Sequence, residues 1–276
     1  MNPHRGQGRS HEEPMHMRTV LITGAASGLG WALAQACHAR GDQLLLTDID
    51  AAGLAARVAE LGSARVQALA GDITAPALHG QLVEACRTAF GRLDLLINNA
   101  GITHRSPTLH TDPGVFRKVM AVDYHAPLEL TLAAAGLLRE SRGQVAAIGS
   151  MAGWMPVLGR AGYCAAKSAL GQAFEVLRAE LARDGIGLLM VYPSFLDTPI
   201  DRNALGADGQ PAGHARSTIG KIRGADWMAG ETLRALEQRR ERLFPDRGSW
   251  LASLLWRLAP GLYYRQMSQR FAGEMG

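Results

Sequence analysis

The stretch "GRAGYCAAKSAL" (159–170) places a lysine four residues after a tyrosine. The chain carries 29 lysines and arginines, yet only Lys118, Lys167 and Lys221 are lysines. On a helix, Tyr163 and Lys167 share one face. An ammonium beside a phenol favours the phenolate and is expected to draw its pKa down from about 10. Tyr163 then becomes an acid/base group for an alcohol or a carbonyl. Ser150 closes the strand-like run "GQVAAIGS" (143–150), where its hydroxyl could bond the same oxygen. Taken alone, a Tyr-x-x-x-Lys spacing also fits a lysine that snorkels along a helix face.

A second set of residues fits a dinucleotide. "TGAASGLG" (23–30) follows an apolar β-branched run and opens a helix-like segment. Gly24, Gly28 and Gly30, with Ser27 and Leu29 between them, allow a tight turn. That turn lets backbone N–H groups approach a pyrophosphate at the positive end of the helix. Asp48 ends the next strand about 20 residues on, where a carboxylate can accept the ribose hydroxyls; the plainer alternative is a helix N-cap. A carboxylate there repels a 2′-phosphate, and Ser27 and Ile49 offer no base to hold one. NAD is therefore expected in preference to NADP.

These residues need a frame that brings strand ends together. Apolar runs at 18–24, 43–48, 65–72, 93–101, 143–150 and 185–194 alternate with helix-like segments at 27–41, 49–62, 74–91, 111–141 and 161–184. Alternation of this kind implies βαβ units and a parallel sheet. The strands are apolar throughout, as expected when helices cover both faces. The expected fold is α/β: a single Rossmann-type doubly wound sheet over 18–247. Residues 194–224, long and rich in Gly and Pro, are expected to form a substrate lid. A helix over 225–242 and a short run at 242–245 follow, then a helical extension over 248–276. Residues 1–17 are polar and read as a disordered leader; Met15 or Met17 could be the natural start.

Composition narrows the class. The chain has 276 residues, 47% of them hydrophobic and 20% charged, with a net charge of +4 and no long run of like charge. Nucleic acid is not an expected partner. Cys37, Cys86 and Cys164 lie far apart without metal-ligand spacing, so no metal is expected and a reducing, cytoplasmic setting is.

Taken jointly, the motifs resemble those of the classical short-chain dehydrogenase/reductase family. "TGAASGLG", "NNAG" at 98–101, Ser150 thirteen residues before Tyr163, "YCAAK" at 163–167, Asp72 in "AGDI" and the Pro193–Thr198 spacing all fall in the family's order, over roughly residues 18–200. The resemblance implies that Ser150 holds the substrate oxygen and Tyr163 moves the proton. It implies that Lys167 tunes Tyr163 and bonds the nicotinamide ribose. By the same resemblance Asn99, Ala100 and Gly101 support the cofactor and the central sheet, Asp72 and Ile73 flank the adenine, and Thr198 reaches the nicotinamide amide beside Pro193. It further implies a homodimer or homotetramer paired through 111–141 and 161–184, the dimer being favoured because the tail occupies space a second pairing would need. Two positions depart from the pattern. Asp123 stands where the family places an asparagine that holds a relay water; a carboxylate could still bind water and would alter the pKa values around Lys167. Ser194 stands where a glycine is usual, and its Cβ is expected near the nicotinamide.

Met151, Trp154, Met155 and Val157 read either as an apolar pocket wall or as loop packing, and Phe195 and Leu196 begin the lid. His104, just after "NNAG", could touch substrate but is expected to be exposed, and Arg160 and Cys164 to be structural. Trp250, Leu251, Leu254, Leu255 and Leu258 fall at helical spacing among arginines. They are expected to pack on the pocket or on a partner subunit. A membrane-surface helix and a fraying tail are the other readings. The expected function is NAD-dependent interconversion of a lipophilic secondary alcohol with a ketone or aldehyde. The alternatives are an NADP-dependent carbonyl reductase and a catalytically weak NAD-binding regulator.

Overall fold

The computed structural model describes residues 17–213 and 222–271. Residues 1–16 of the expected leader, 214–221 of the expected lid and 272–276 of the extension lie outside the described residues. Six main strands are β1 (Thr19–Thr23), β2 (Gln43–Thr47), β3 (Val66–Ala68), β4 (Leu95–Asn98), β5 (Gln144–Ile148) and β6 (Gly187–Val191). Two short strands after β6, β7 (Leu196–Asp197) and β8 (Arg223–Gly224), pair with each other, and β9 (Arg242–Leu243) joins the main sheet. That sheet has seven strands in the order β3-β2-β1-β4-β5-β6-β9, and every pairing in it is parallel. The order reverses between β1 and β4. At such a point two neighbouring crossovers run to opposite faces and leave a crevice beyond the strand ends.

Alternating side chains of each strand feed two cores. Val20 and Ile22 of β1 pack with α1 (Gly28–Ala39) and α7 (Ala225–Glu237) on one face, through residues such as Leu33, Met228 and Leu233. Leu21 points the other way, into a core shared with α3 (Pro76–Phe90), α5 (Ala126–Ser141) and α6 (Ala161–Arg183). Helix α2 (Ala51–Leu61) starts at Asp50, whose carboxylate accepts from Gly53 N. Asp112 does the same for α4 (Pro113–Met120).

Three expected elements differ in detail. The strand at 65–72 is assigned only over Val66–Ala68, although its ladder continues through Leu69 N to Leu46 O and Gly71 N to Asp48 O. The helix expected to 242 stops at Glu237, and Arg239 turns the chain with φ 48°. The stretch 111–141 is not one regular helix: a π-turn at Ala121–His125 separates α4 from α5. Two further helices, α8 (Arg247–Leu258) and α9 (Pro260–Arg270), follow β9. Tyr263, Met267 and Phe271 pack against Met155, Val157 and Leu158, and Tyr263 Oη donates to Pro156 O at 2.6 Å. Among the described residues no helix is long and apolar enough to cross a membrane.

Phe174 seats α6 on the sheet and is fully buried. Phe174→Ala leaves a cavity there and is expected to lower the unfolding free energy by about 3–5 kcal/mol, measured by urea denaturation.

Candidate active site

At the C-terminal ends of the strands lies a cavity of about 790 Å³. Its floor begins at the turn from β1 to α1. Gly24 and Gly28 have φ of +66° and +55°, a region that costs little only for glycine. A Cβ on Gly30 would stand 2.0 Å from Gly24 O and 2.5 Å from Asn99 Nδ2. The helix therefore starts tight against the strand. Ser27, at the N-cap of α1, makes no side-chain cap bond, so the first-turn N–H groups are left for an anion.

The turn is braced from β4. Asn99 Nδ2 donates to Thr23 O at 2.9 Å and to Gly24 O at 3.2 Å. Thr23 Oγ1 accepts from Asn99 N at 3.0 Å and from Ala100 N at 2.9 Å. Sequence reasoning missed Thr23, because nothing in its surroundings marks a hydroxyl that receives two backbone donors. Asp48 accepts from Ala26 N at 2.9 Å and from Asp50 N at 3.0 Å, which fixes its carboxylate at the cavity edge beside the exposed Ile49. Asp72 accepts from Thr74 N and Oγ1, and both Asp72 and Ile73 line the cavity. Gly24, Ser27, Gly28, Leu29, Asn99, Ala100, Gly101, Pro193 and Thr198 line it too. Gly30 does not; it acts from behind. These residues fit a nicotinamide dinucleotide: they combine a glycine cradle, an uncapped helix start and a carboxylate at the end of the neighbouring strand.

Across the cavity stand Ser150, Tyr163 and Lys167. Ser150 Oγ accepts from Ala152 N at 3.1 Å, which leaves its O–H free to donate. Lys167 is buried. Its Nζ donates to Ile148 O at 3.0 Å and lies 5.8 Å from the centre of the Tyr163 ring. Asp123 does not line the cavity. It sits in the π-turn, fully buried, and its Oδ1 accepts from Ile102 N at 2.8 Å. Its Oδ2 forms an ion pair with Lys167 Nζ at 3.2 Å, outside hydrogen-bond alignment. Gly101 lies over both charges: a Cβ there would be in van der Waals contact with them, 3.4 Å from Asp123 Oδ2 and 3.5 Å from Lys167 Nζ.

This pairing reverses one expectation. Burial pushes the Tyr163 phenol up, and the Asp123 carboxylate pushes it further, while the Ser150 hydrogen bond and Arg160 oppose them. The Lys167 ammonium, 5.8 Å from the ring centre, does not overcome burial and the Asp123 charge. Burial raises Asp123 as well, with Lys167 and the Ile102 N–H pulling against it.

The structure separates the two readings of the apolar residues. Met151, Met155, Val157, Phe195 and Leu196 line the cavity. Trp154 does not; it packs edge-on against Tyr192 and Phe244, with the Arg257 guanidinium over its ring. Arg160, expected to be purely structural, is buried and lines the cavity, 5.6 Å from the Phe271 ring. Cys164 remains outside, its Sγ accepting from Val157 N at 3.3 Å. Ser194 lines the cavity, and its hydroxyl donates to Asp246, the residue that caps α8. His104, expected to be exposed, is fully buried and bonded to Gly162 N.

Removing one member of a buried ion pair leaves the other uncompensated. Lys167→Met is expected to cost about 3–5 kcal/mol of unfolding free energy at neutral pH. Adding Asp123→Asn to that variant should recover most of the loss, as read by urea denaturation.

A family model described as short chain dehydrogenase matches residues 18–208. The chain is 33% identical over 265 residues to dehydrogenase/reductase SDR family member 7B of Bos taurus, covering 92% of this chain and 82% of that protein. It is 34% identical over 197 residues to 11-beta-hydroxysteroid dehydrogenase A of Sesamum indicum, covering 70% of this chain and 56% of that protein. A short-chain dehydrogenase from Sphingobium yanoikuyae in complex with NADPH has a similar structure, with a TM-score of 0.74, 27% identity and coverage of 91% of this chain and 96% of that one. A short-chain dehydrogenase/reductase from Burkholderia phymatum in complex with NAD shares the fold, with a TM-score of 0.79, 24% identity and coverage of 89% and 95%. The chain belongs to the short-chain dehydrogenase family and is an oxidoreductase acting on CH–OH donors with NAD(P).

Proposed function

We propose that the protein interconverts a lipophilic secondary alcohol with its ketone or aldehyde, using NAD in preference to NADP. One observation carries the reading. Ser150 and Tyr163 face the glycine cradle across a single cavity in which Met151, Met155, Val157, Phe195 and Leu196 supply apolar wall beside Arg160 and Ser194. The relative named as a hydroxysteroid dehydrogenase supports an apolar substrate carrying a secondary alcohol. Asp48 supports NAD, because a fixed carboxylate at the ribose position repels a 2′-phosphate.

A bound nicotinamide dinucleotide would supply or accept the hydride. The chain's own residues handle the oxygen and its proton. Ser150, with one lone pair taken by the Ala152 N–H, donates its hydroxyl hydrogen to the substrate oxygen. In the reductive direction Tyr163 gives its proton to that oxygen, and the charge of Arg160 stabilises the phenolate left behind. A phenol held above its ordinary range rests as a proton donor, which favours carbonyl reduction. Alcohol oxidation requires the phenolate, so its rate should keep rising with pH beyond the range of an ordinary phenol. Asp123→Asn removes a charge that raises the phenol, so it should move that rising limb to lower pH.

The assembly and setting proposed with this activity are a homodimer or homotetramer, the dimer favoured, in a reducing, cytoplasmic compartment. Leu132 on α5 and Val176 on α6 are exposed apolar side chains on the helices that would pair, and all three cysteines are free thiols. A weak membrane-surface contact through α8 and α9 is supported by exposed Trp250, Leu251, Leu258, Leu262 and Tyr264. Arg247, Arg257, Arg265 and Arg270 lie among them, and 247–271 contains no acidic residue. Light scattering should give twice or four times the chain mass, and vesicles rich in anionic lipid should retain the protein at low salt; a monomer, or equal retention by neutral vesicles, would oppose these readings.

The deciding experiment is turnover of a panel of lipophilic alcohols and ketones, run with NAD(H) and NADP(H). NADH should bind more tightly than NADPH by calorimetry, and Asp48→Ala should narrow the difference. Tyr163→Phe should lower turnover at least a hundredfold while leaving NADH affinity within about twofold. Full turnover by Tyr163→Phe would refute the acid/base assignment. NADH binding without turnover of any panel member would point to the regulator instead.

A further inference from the structure

His104 lies outside the cavity lining, yet it joins three parts of the site. Helix α6, which carries Tyr163, begins without a local cap: Arg160 stands at its N-cap position and makes no side-chain cap bond. An N-cap side chain normally accepts from the N–H of the second or third helical residue. Here the acceptor comes from the loop after β4, 58 residues away in sequence. His104 Nε2 accepts from Gly162 N at 2.9 Å, and Gly162 is the second residue of α6, directly before Tyr163. Gly162 suits the contact, since a Cβ there would meet Phe116 at 2.7 Å and the imidazole at 3.2 Å.

The protons of this cluster are fixed by its partners. Because Nε2 accepts from a backbone N–H, the ring proton must sit on Nδ1, which then donates to Ser106 Oγ at 3.1 Å. Ser106 in turn donates to Thr111 Oγ1 at 2.7 Å, and Thr111 donates to Pro107 O at 2.7 Å. Phe116 of α4 packs edge-on against the ring at 5.4 Å. The charge that bears on the ring is Arg160, at the start of α6. Burial, aided by Arg160, holds His104 down at about 4, so the ring is neutral across the physiological range.

The backbone of the same residue meets the lid. His104 and Leu205 form a parallel bridge, with Leu205 N donating to Thr103 O at 2.9 Å and Arg105 N donating to Leu205 O at 2.7 Å. Asp112 N donates to Ala207 O at 2.8 Å, and Ser106 N to Gly159 O at 3.0 Å, just before α6.

We propose that His104 is a positioning residue for the reaction: its ring caps the helix that carries Tyr163, and its backbone ties that helix start to the substrate lid at 204–207. A protonated ring has no acceptor for Gly162 N–H, so the cap exists only while His104 is neutral. The folded value lies below the ordinary histidine value of about 6.5. The stabilisation is therefore complete above about 6.5 and is lost as pH falls toward 4.

The test compares wild type with His104→Gln, which keeps an acceptor and a donor, and His104→Leu, which keeps volume and loses both. In the full-length protein, amide hydrogen exchange at 161–165 and 204–207 should quicken about tenfold in His104→Leu and return close to wild type in His104→Gln. Turnover of whichever panel alcohol or ketone the wild type uses should follow the same order. His104→Leu should lower kcat about tenfold, with NADH affinity within twofold. The turnover arm rests on Tyr163 being the acid/base group; the exchange arm does not, so the two failures are distinguishable. Unchanged exchange and kcat in His104→Leu, with only the melting temperature lowered, would overturn the proposal, and so would equal losses in both variants. If His104→Leu does not fold, wild type should lose kcat as pH falls from 6 toward 4 while His104→Gln holds its rate. Superimposable acid limbs would then overturn it.

Discussion

A lysine ammonium buried to this depth cannot remain uncompensated, and the site is organised around meeting that demand. Lys167 comes from α6, its carbonyl partner Ile148 from the end of β5, and its counter-charge Asp123 from the π-turn between α4 and α5. Asp123 in turn is held by the N–H of Ile102, just past β4. Four elements therefore converge on one ion pair. A π-turn widens the helix locally and redirects its side chains, and here it accompanies a carboxylate aimed beneath Gly101. Burial and the Asp123 charge together hold the Tyr163 phenol up.

The cofactor side rests on close approach rather than on charge. Gly30 must lie against Gly24 O, and Asn99 must reach back across the sheet to the same turn. These contacts occur where β1 and β4 lie side by side at the reversal of strand order, which is also where the crevice opens. The segment after β6 comes to the same place. A Cβ on Gly28 would come within 3.3 Å of Thr198 and Pro199, so this glycine also makes room for that segment. Residues 205 and 207 are tied to the loop after β4 by backbone hydrogen bonds.

The C-terminal helices pack against the cavity wall from outside. Ser194 bonds Asp246, which also accepts from Gly248 N and Ser249 Oγ at the start of α8. Tyr263, Met267 and Phe271 cover the outside of the 155–158 segment, whose inner side lines the cavity. The serine that replaces the more usual glycine is thus used to attach the extension. The apolar stripe on α8 divides: Leu255 packs inward, while Trp250, Leu251 and Leu258 remain exposed.

The sequence by itself determined what depends on near neighbours along the chain. Unbroken apolar strands such as "VLIT" and "LLLT" imply helices on both faces. A strand, a glycine turn and a helix in succession imply a phosphate cradle, and a Tyr–Lys spacing of four places both groups on one helical face. Tertiary structure alone decided which groups meet across large sequence separations. His104 read as a surface residue because nothing within a few positions of it signals burial; its partner Gly162 is 58 residues on. That Trp154 packs against Tyr192 and Phe244 rather than on the cavity wall, and that Arg160 faces the cavity, follow from the path of an irregular loop, which its composition does not set. The direction of the Tyr163 shift was likewise beyond the sequence. It depends on desolvation and on the Asp123 charge, quantities set by distance and burial rather than by residue type.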